Sequence, residues 1–388
     1  MTKSAAAFTS LSDSSTAGQD LGQQINEAFQ GQPADALIVF ASARYDYEVL
    51  LKALDSSCNP KLVVGCSSAG EFTSQNQGVG SVSVLALKSD KLAFTATIGR
   101  GLRVNRQAAA TQLVAGFKGN SNHNYLYRYA MVLTDALAGQ ADALVEQLTT
   151  LTAGTYQFFG GGAGDDGNFS NTHIFYGTEA VSDAVVALEI LSNQPLGIGV
   201  SHGWQPATPR MRVTETEAMS LVSVNAIPAV DVFEDHAGNT GQYFDHKNAL
   251  PYFLHNIVGV ESEGGYKLRV PLGVTPDNEI AFAAEVPTGA TISIMTTSNQ
   301  SAADAATQAL QHAKQQLEGQ TPGVALFFDC VATRLRMGQD FGMELKAVQA
   351  ELGSANYVGF NSYGQIARAD GQFNGFHNCT AVVCLIPE

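Results

Sequence analysis

The chain has 388 residues, 45% of them hydrophobic, which is enough for two domains with cores of their own and excludes wholesale disorder. A formal net charge of −15 excludes nucleic acid and anionic membrane surfaces as expected partners, because both repel an acidic surface. No run approaches the ~18 apolar residues of a membrane span, so a cytoplasmic chain is expected.

Residues 1–20 carry one lysine, many Ser and Thr, and no apolar run of signal-peptide length; a flexible tail is expected there. ALIVFAS (36–42) is long enough for a buried strand and too short for a helix. A helical YEVLLKAL (47–54) follows, then the small-residue stretch VVGCSSAGEF (63–72) and the alternating strand SVSVLAL (81–87). Near residue 130 the order recurs as AMVLTD, QADALVEQLTTL, YQFFGGGAGDD, HIFYG and AVVALEIL. A polar, proline-bearing stretch (199–217) holds the only Trp and places a domain boundary near 215. NAIPAVDVFEDHAGN reads as a helix with Pro228 near its start and Gly238 near its end, and residues 268–297 as strands and turns. Near 323 the order returns as GVALFFDC, FGMELKAVQAEL, YVGFNSYGQI and TAVVCLI. These passes imply an internal duplication and an α/β fold, with mixed β-sheets flanked by helices, in two domains spanning 21–215 and 216–388.

The small-residue stretches share a pattern. Val64-Gly65, Ser68, Gly70 and Glu71-Phe72 match Val358-Gly359, Ser362, Gly364 and Gln365-Ile366 at identical offsets, and Ala163-Gly164-Asp165 lies over Ala69-Gly70-Glu71. FFGGGAGDDGNF (158–169) lacks the lysine of a phosphate loop, and its two aspartates repel anions. Asp165 and Asp166 are neighbours without metal-motif spacing, so Asp165 is expected to accept hydrogen bonds within the turn. GCSSAG is not a nucleophile elbow, because its second glycine comes one residue late, and nothing assigns Cys66 a base. What remains is a set of tight bends where backbone approaches a ligand closely. Gly65, Cys66, Ser67, Glu71, Gly161, Asp165, Asn361, Tyr363, Gln365 and Asn378 are the residues expected to line one pocket.

Five cysteines, an odd number with no CxxC pair, read as reduced and mostly buried thiols. Among eight histidines, His202 and His377 sit beside glycine and aromatic residues, while His246 and His255 lie among Phe244, Tyr252 and Phe253. The latter surroundings suit a flat apolar cofactor held by one imidazole, and suit an ordinary core equally.

VVGCSSAGEF, FFGGGAGDD, SHGWQP, YVGFNSYGQIA and FHNCTAVV, in this order, resemble the FIST sensory proteins, with an N-terminal domain over 21–215 and a C-terminal domain over 216–388. The resemblance implies a non-enzymatic ligand-sensing module. A chain holding both domains and little else resembles the haem-binding branch. That branch implies non-covalent haem b, nitric oxide as the signal and a sensor histidine kinase as partner in two-component signalling. His246, His377, His202 and His255 are then alternative candidates for one iron ligand. The other reading is a FIST module that binds a small polar metabolite, such as an amino acid, through Glu71, Asp165, Asn361 and Asn378. One departure bears on it: the family's C-terminal motif ends in an acid where this chain has Gln365, which cannot pair as an anion with a cationic amino group.

Overall fold

The computed structural model describes residues 1–122, 124–262, 264–369 and 375–388. The chain opens with β1 (Thr2–Thr9), α1 (Ser14–Phe29), β2 (Ala36–Ser42), α2 (Tyr47–Cys58), β3 (Val63–Ser68), a hairpin of β4 (Glu71–Thr73) and β5 (Gln77–Gly78), and β6 (Val82–Ser89). The same order of elements follows in β7 (Leu92–Arg100), α3 (Leu102–Ala115), β8 (Tyr127–Thr134), α4 (Ala141–Leu151), β9 (Gln157–Gly162), the hairpin β10 (Ile174–Tyr176) and β11 (Glu179–Val181), and β12 (Ala184–Ser192). A third pass starts at β13 (Gly197–Ser201) and resumes after residue 297. It contains the helix Asn299–Gln316, the strand Pro322–Cys330, the helices Val331–Met337 and Gly342–Leu352, and the strand Asn356–Ser362. A hairpin of Gln365–Arg368 and Gly375–His377 and the strand Ala381–Pro387 complete it.

Each pass builds a mixed sheet with one strand order. The first runs β1-β6-β2-β3, the second β7-β12-β8-β9, and the third β13, then 381–387, 322–330 and 356–362. In each, the two central strands that end at the small-residue loop are parallel, and parallel neighbours need a helical crossover such as α2. Every sheet gains its last strands from a hairpin of a different pass. β10 adds to β3, Gln365–Arg368 adds to β9, and β4 adds to Asn356–Ser362. This cyclic exchange ties the three sheets into a ring.

The inner faces of the three sheets meet in one core, where Phe40 stacks on Phe360 at 4.3 Å and Phe328 meets both Phe40 and Phe159 edge-on. Helices cover the outer faces: α1 and α2 on the first sheet, α3 and α4 on the second, and 299–316 with 342–352 on the third. Burial on both faces explains why ALIVFAS is an unbroken apolar run with every residue buried, rather than an alternating one. Residues 205–296 are inserted into the third pass and form a further nine-stranded sheet, with a separate core around Phe233, Phe253 and Ile294.

Mixed sheets flanked by helices are as the sequence implies. The flexible tail over 1–20 is not. Thr2–Thr9 pairs with β6 from Thr2↔Ser89 to Thr9↔Val82, and Asp13 caps α1 by accepting from the Thr16 amide at 2.8 Å. Ser and Thr suggest a tail by composition, but the buried Ala5 and Ala7, which face the helices, alternate with the half-buried Ser4, Ala6 and Phe8 as in an edge strand. The expected boundary between 215 and 216 falls inside the strand Met211–Glu217 of the inserted sheet.

Candidate functional site

The three small-residue loops converge. At equivalent register positions, Ser68 lies opposite Ser42, Gly162 opposite Thr134, and Ser362 opposite Cys330. Beyond these residues the loops bond to one another. The Ala69 amide donates to the Asn361 carbonyl at 3.0 Å, and the Asn361 amide donates to the Gly70 carbonyl at 2.8 Å. Gly164 donates to the Ser67 carbonyl at 2.8 Å, Gly162 to the Gly364 carbonyl at 2.8 Å, and Tyr363 to the Gly162 carbonyl at 3.0 Å. The glycines are there because chains touch. A Cβ on Gly164 would lie 2.9 Å from Cβ of Ala69, and one on Gly70 would lie 2.6 Å from Oδ1 of Asn361. FFGGGAGDDGNF is therefore a joint between loops, and its first aspartate is a turn-holder. Asp165 accepts from the amides of Phe169, Ser170 and Asn171 at 2.7–2.9 Å and from the Tyr363 hydroxyl. Burial pushes its carboxyl up, but Tyr363 and those amides outweigh it and hold the group below the ordinary range.

Glu71 and Gln365 play the same part in their loops. Ser68 donates to Oε1 of Glu71, while Oε2 accepts from the amide and hydroxyl of Ser81 at 3.0 and 2.6 Å. Gln365 donates from Nε2 to the Ser362 hydroxyl at 2.8 Å and accepts from the Thr380 amide at 3.3 Å. The amide that departs from the family motif is thus occupied within its own turn. Burial raises the Glu71 carboxyl to about 7 against the hydrogen bonds from Ser68 and Ser81.

Beside this junction opens a cavity of about 230 Å³, lined among others by Glu71, Phe72, Arg334, Gln339, Phe341 and Asn361. Arg334 comes from the short helix Val331–Met337. Its Nε is buried without a hydrogen-bond partner among the described residues. Burial lowers its pKa, opposed by the charges of Glu71, Asp166, Tyr363 and Asp329 around it. Asp166 holds Ser42 and the Ala43 amide through Oδ2 at 2.7 and 3.0 Å, and its Oδ1 is buried without a partner among the described residues. Asn361 is anchored by donating to Asp329 at 3.1 Å. A guanidinium with a free N–H, an amide and a carboxyl of near-neutral pKa can hold a small polar molecule with an anionic group.

The other expected pocket residues are placed differently. Cys66 is fully buried in the central core, where burial pushes its thiol up and disfavours the thiolate. A Cβ on Gly65 would lie 2.0 Å from the Val39 carbonyl oxygen, and one on Gly161 3.0 Å from that of Gly364, so both serve strand packing. The Ser67 hydroxyl accepts from the His173 amide at 2.8 Å. Tyr363 stacks on Phe169 at 4.4 Å and, with Asn378, borders a second, apolar cavity of about 40 Å³. Of the ten, Glu71 and Asn361 line the larger cavity.

The four histidines do not surround one space. His246 is exposed and paired with Glu234 at 2.6 Å. His255 is exposed beside Arg336. His202 is held between the Tyr266 carbonyl at 3.0 Å and the Trp204 amide at 3.3 Å. His377 is buried, with burial and then Lys267 driving its pKa down to about 3, so its ring is neutral. Arg334 was missed by sequence reasoning. The available signal was a cationic residue four positions past a strand of seven buried residues, in a helix too short to show a period.

Fold and loops together define an α/β module built on converging small-residue loops. Residues 35–226 match the FIST N domain and residues 229–368 the FIST C domain; the chain belongs to the FIST family of small-ligand-sensing signalling proteins. It is 22% identical over 365 residues to uncharacterized proteins from two strains of Mycobacterium tuberculosis, covering 92% of each chain. A crystal structure of a cyanuric acid hydrolase from A. caulinodans aligns over 100% of both chains at 8% identity and a TM-score of 0.36, too low to bear on fold or chemistry. Among the described residues no helix is long and apolar enough to cross a membrane.

Proposed function

We propose that the chain is a non-enzymatic sensor of a small polar metabolite with a carboxylate or similar anion, such as an amino acid, bound beside Arg334. The observation that carries this is Arg334, which lines a cavity beside the junction of the loops and whose Nε is buried without a partner among the described residues. A volume of about 230 Å³ lies below the roughly 300–1,000 Å³ of sites for drug-sized ligands and suits a metabolite of a few heavy atoms. The ligand's anion accepts from Arg334, and Asn361 and Glu71 set its orientation. Arg334 sits on a helix that follows a central strand of the third sheet, whereas Glu71 opens a hairpin that leaves the first sheet to join the third. Bridging the two stabilises one arrangement of that joint, which is how a ligand shifts a two-state surface.

Haem b is not the reading that the placement of these residues favours. His202 borders a cavity of only about 10 Å³, and His202 and His246 already hold partners, which speaks against a porphyrin on either. Haemin added to the protein should therefore give no stoichiometric Soret band. A band at one equivalent that vanished in His377→Ala would overturn this. A histidine-kinase partner rests on the resemblance alone.

The reading is tested by thermal denaturation against a panel of amino acids and small carboxylates, with Arg334→Met alongside. At 100-fold over its Kd a true ligand stabilises by about 2.7 kcal/mol. The wild type should respond to one or a few compounds and Arg334→Met to none. An equal response in both would place the site elsewhere.

A further inference from the structure

We propose that Cys330 and Cys379 form an oxidisable dithiol, which hydrogen peroxide or a peroxide of similar size converts into a disulfide. Cys330 ends the central strand Pro322–Cys330, and Cys379 lies in the turn between Gly375–His377 and Ala381–Pro387. The fold packs both into one small cluster with Trp204, Leu268 and Met295. The strand Pro322–Cys330 pairs with Ala381–Pro387 up to Phe328↔Val382, which brings its last residue, Cys330, level with the turn that holds Cys379. Cys66 and Cys384, equally buried, have their thiols pushed up by burial. At Cys330 the Cys379 thiol and neighbouring donors outweigh burial and bring it down to about 7. One sulfur is thus favoured to carry the charge, and the other lies in the same cluster, in the turn beside the end of its strand. Cys379 is also held at φ 50°, a left-handed conformation uncommon outside glycine. Such strain costs on the order of 1–3 kcal/mol and gathers at functional positions.

A cavity that Cys330 borders offers access to a small oxidant. That residue lines the apolar cavity of about 40 Å³ with Tyr363, Gly364 and Asn378. The buried Oδ1 of Asn378 has no partner among the described residues and can accept from a peroxide O–H. A cavity needs roughly 10–15 Å³ of such volume to hold a water, so a molecule of about that size fits. The Cys330 thiolate attacks one peroxide oxygen and the O–O bond breaks. Hydroxide leaves and is protonated to water, and Cys330 becomes a sulfenic acid. The Cys379 sulfur then attacks the Cys330 sulfur. The S–S bond forms, the S–O bond breaks, and the hydroxyl departs as water with the thiol proton. The two sulfurs together lose two electrons, and the peroxide gains them.

The test treats reduced full-length protein with hydrogen peroxide, counts thiols after denaturation and maps the cross-linked peptides. Free thiols should fall from five to three, with Cys330 joined to Cys379, and with Cys58, Cys66 and Cys384 still reduced. Dithiothreitol should restore all five. In Cys379→Ser, oxidation should stop at a sulfenic acid on Cys330, trapped by dimedone present as the treated protein is denatured. Five thiols remaining in the treated wild type, or a bridge between any other pair, would overturn the proposal. So would dimedone labelling of Cys379→Ser at a cysteine other than Cys330.

Discussion

Glu71→Gln should make the protein more stable above pH 7 while leaving it unchanged near pH 4. The folded-state pKa of Glu71 is raised from the ordinary 4.5 to about 7, so the folded chain holds a proton there that the unfolded chain releases. The stability tied to that proton is complete below the unfolded pKa of 4.5 and is lost as pH rises through about 7. The difference corresponds to about 3 kcal/mol at pH 8. Glutamine resembles the protonated acid, and the chain already contains the arrangement it would adopt. Gln365 donates to Ser362 across the same three-residue offset by which Ser68 bonds Glu71. In the variant, the glutamine amide would donate to Ser68 and keep its oxygen on Ser81. Urea unfolding at pH 5 and pH 8 measures the effect. A variant less stable than wild type at pH 8 would mean that the Glu71 anion is stabilised in the fold, by Arg334 or otherwise.

Asp142→Leu should destabilise the protein by about 3–5 kcal/mol, because it leaves a buried cation without its anion. Asp142, near the start of α4, accepts from Lys267 at 2.7 Å, from Arg269 and from the Phe376 amide at 3.0 Å. Arg269 is only 3% exposed, and its remaining N–H groups go to the carbonyls of Glu285 and Leu268 at 2.8 and 2.9 Å. This group ties the inserted sheet to the second sheet's helices. The double variant Asp142→Leu/Arg269→Met should recover most of the loss, since apolar replacement of a whole buried pair is often neutral. Urea unfolding of the wild type, both single variants and the double variant checks this. A single variant within about 1 kcal/mol of wild type would show the pair to be hydrated, as exposed ion pairs are.

The loops were legible in the sequence because the constraint on them is local. Where chains touch, only small residues fit, so Ala69, Gly70, Ala163, Gly164 and Gly364 recur at fixed offsets. The serine three residues before Glu71 or Gln365 recurs because it bonds that side chain. The buried strands were legible for a similar reason, since two-faced burial leaves an apolar run such as ALIVFAS. The exchanged hairpins were not, because a three-residue strand such as β4 has no period to read and its partner lies almost 290 residues away, as Glu71 does opposite Phe360. β1 was hidden by its Ser and Thr content. The histidines misled for a physical reason: an aromatic neighbourhood such as that of His246 marks the inserted sheet's own core, with the imidazole at its rim bonded to Glu234. Arg334 gave no pattern, since its role depends on Gly70 and Asn361, which lie far from it or across a strand boundary in sequence.

The most direct measurement is a crystal structure of the protein soaked with whichever metabolite raises its melting temperature most. The account predicts that compound in the cavity between Glu71 and Phe341, its anionic group within hydrogen-bonding distance of the Arg334 guanidinium. The same compound bound elsewhere, with Arg334 untouched, would contradict it.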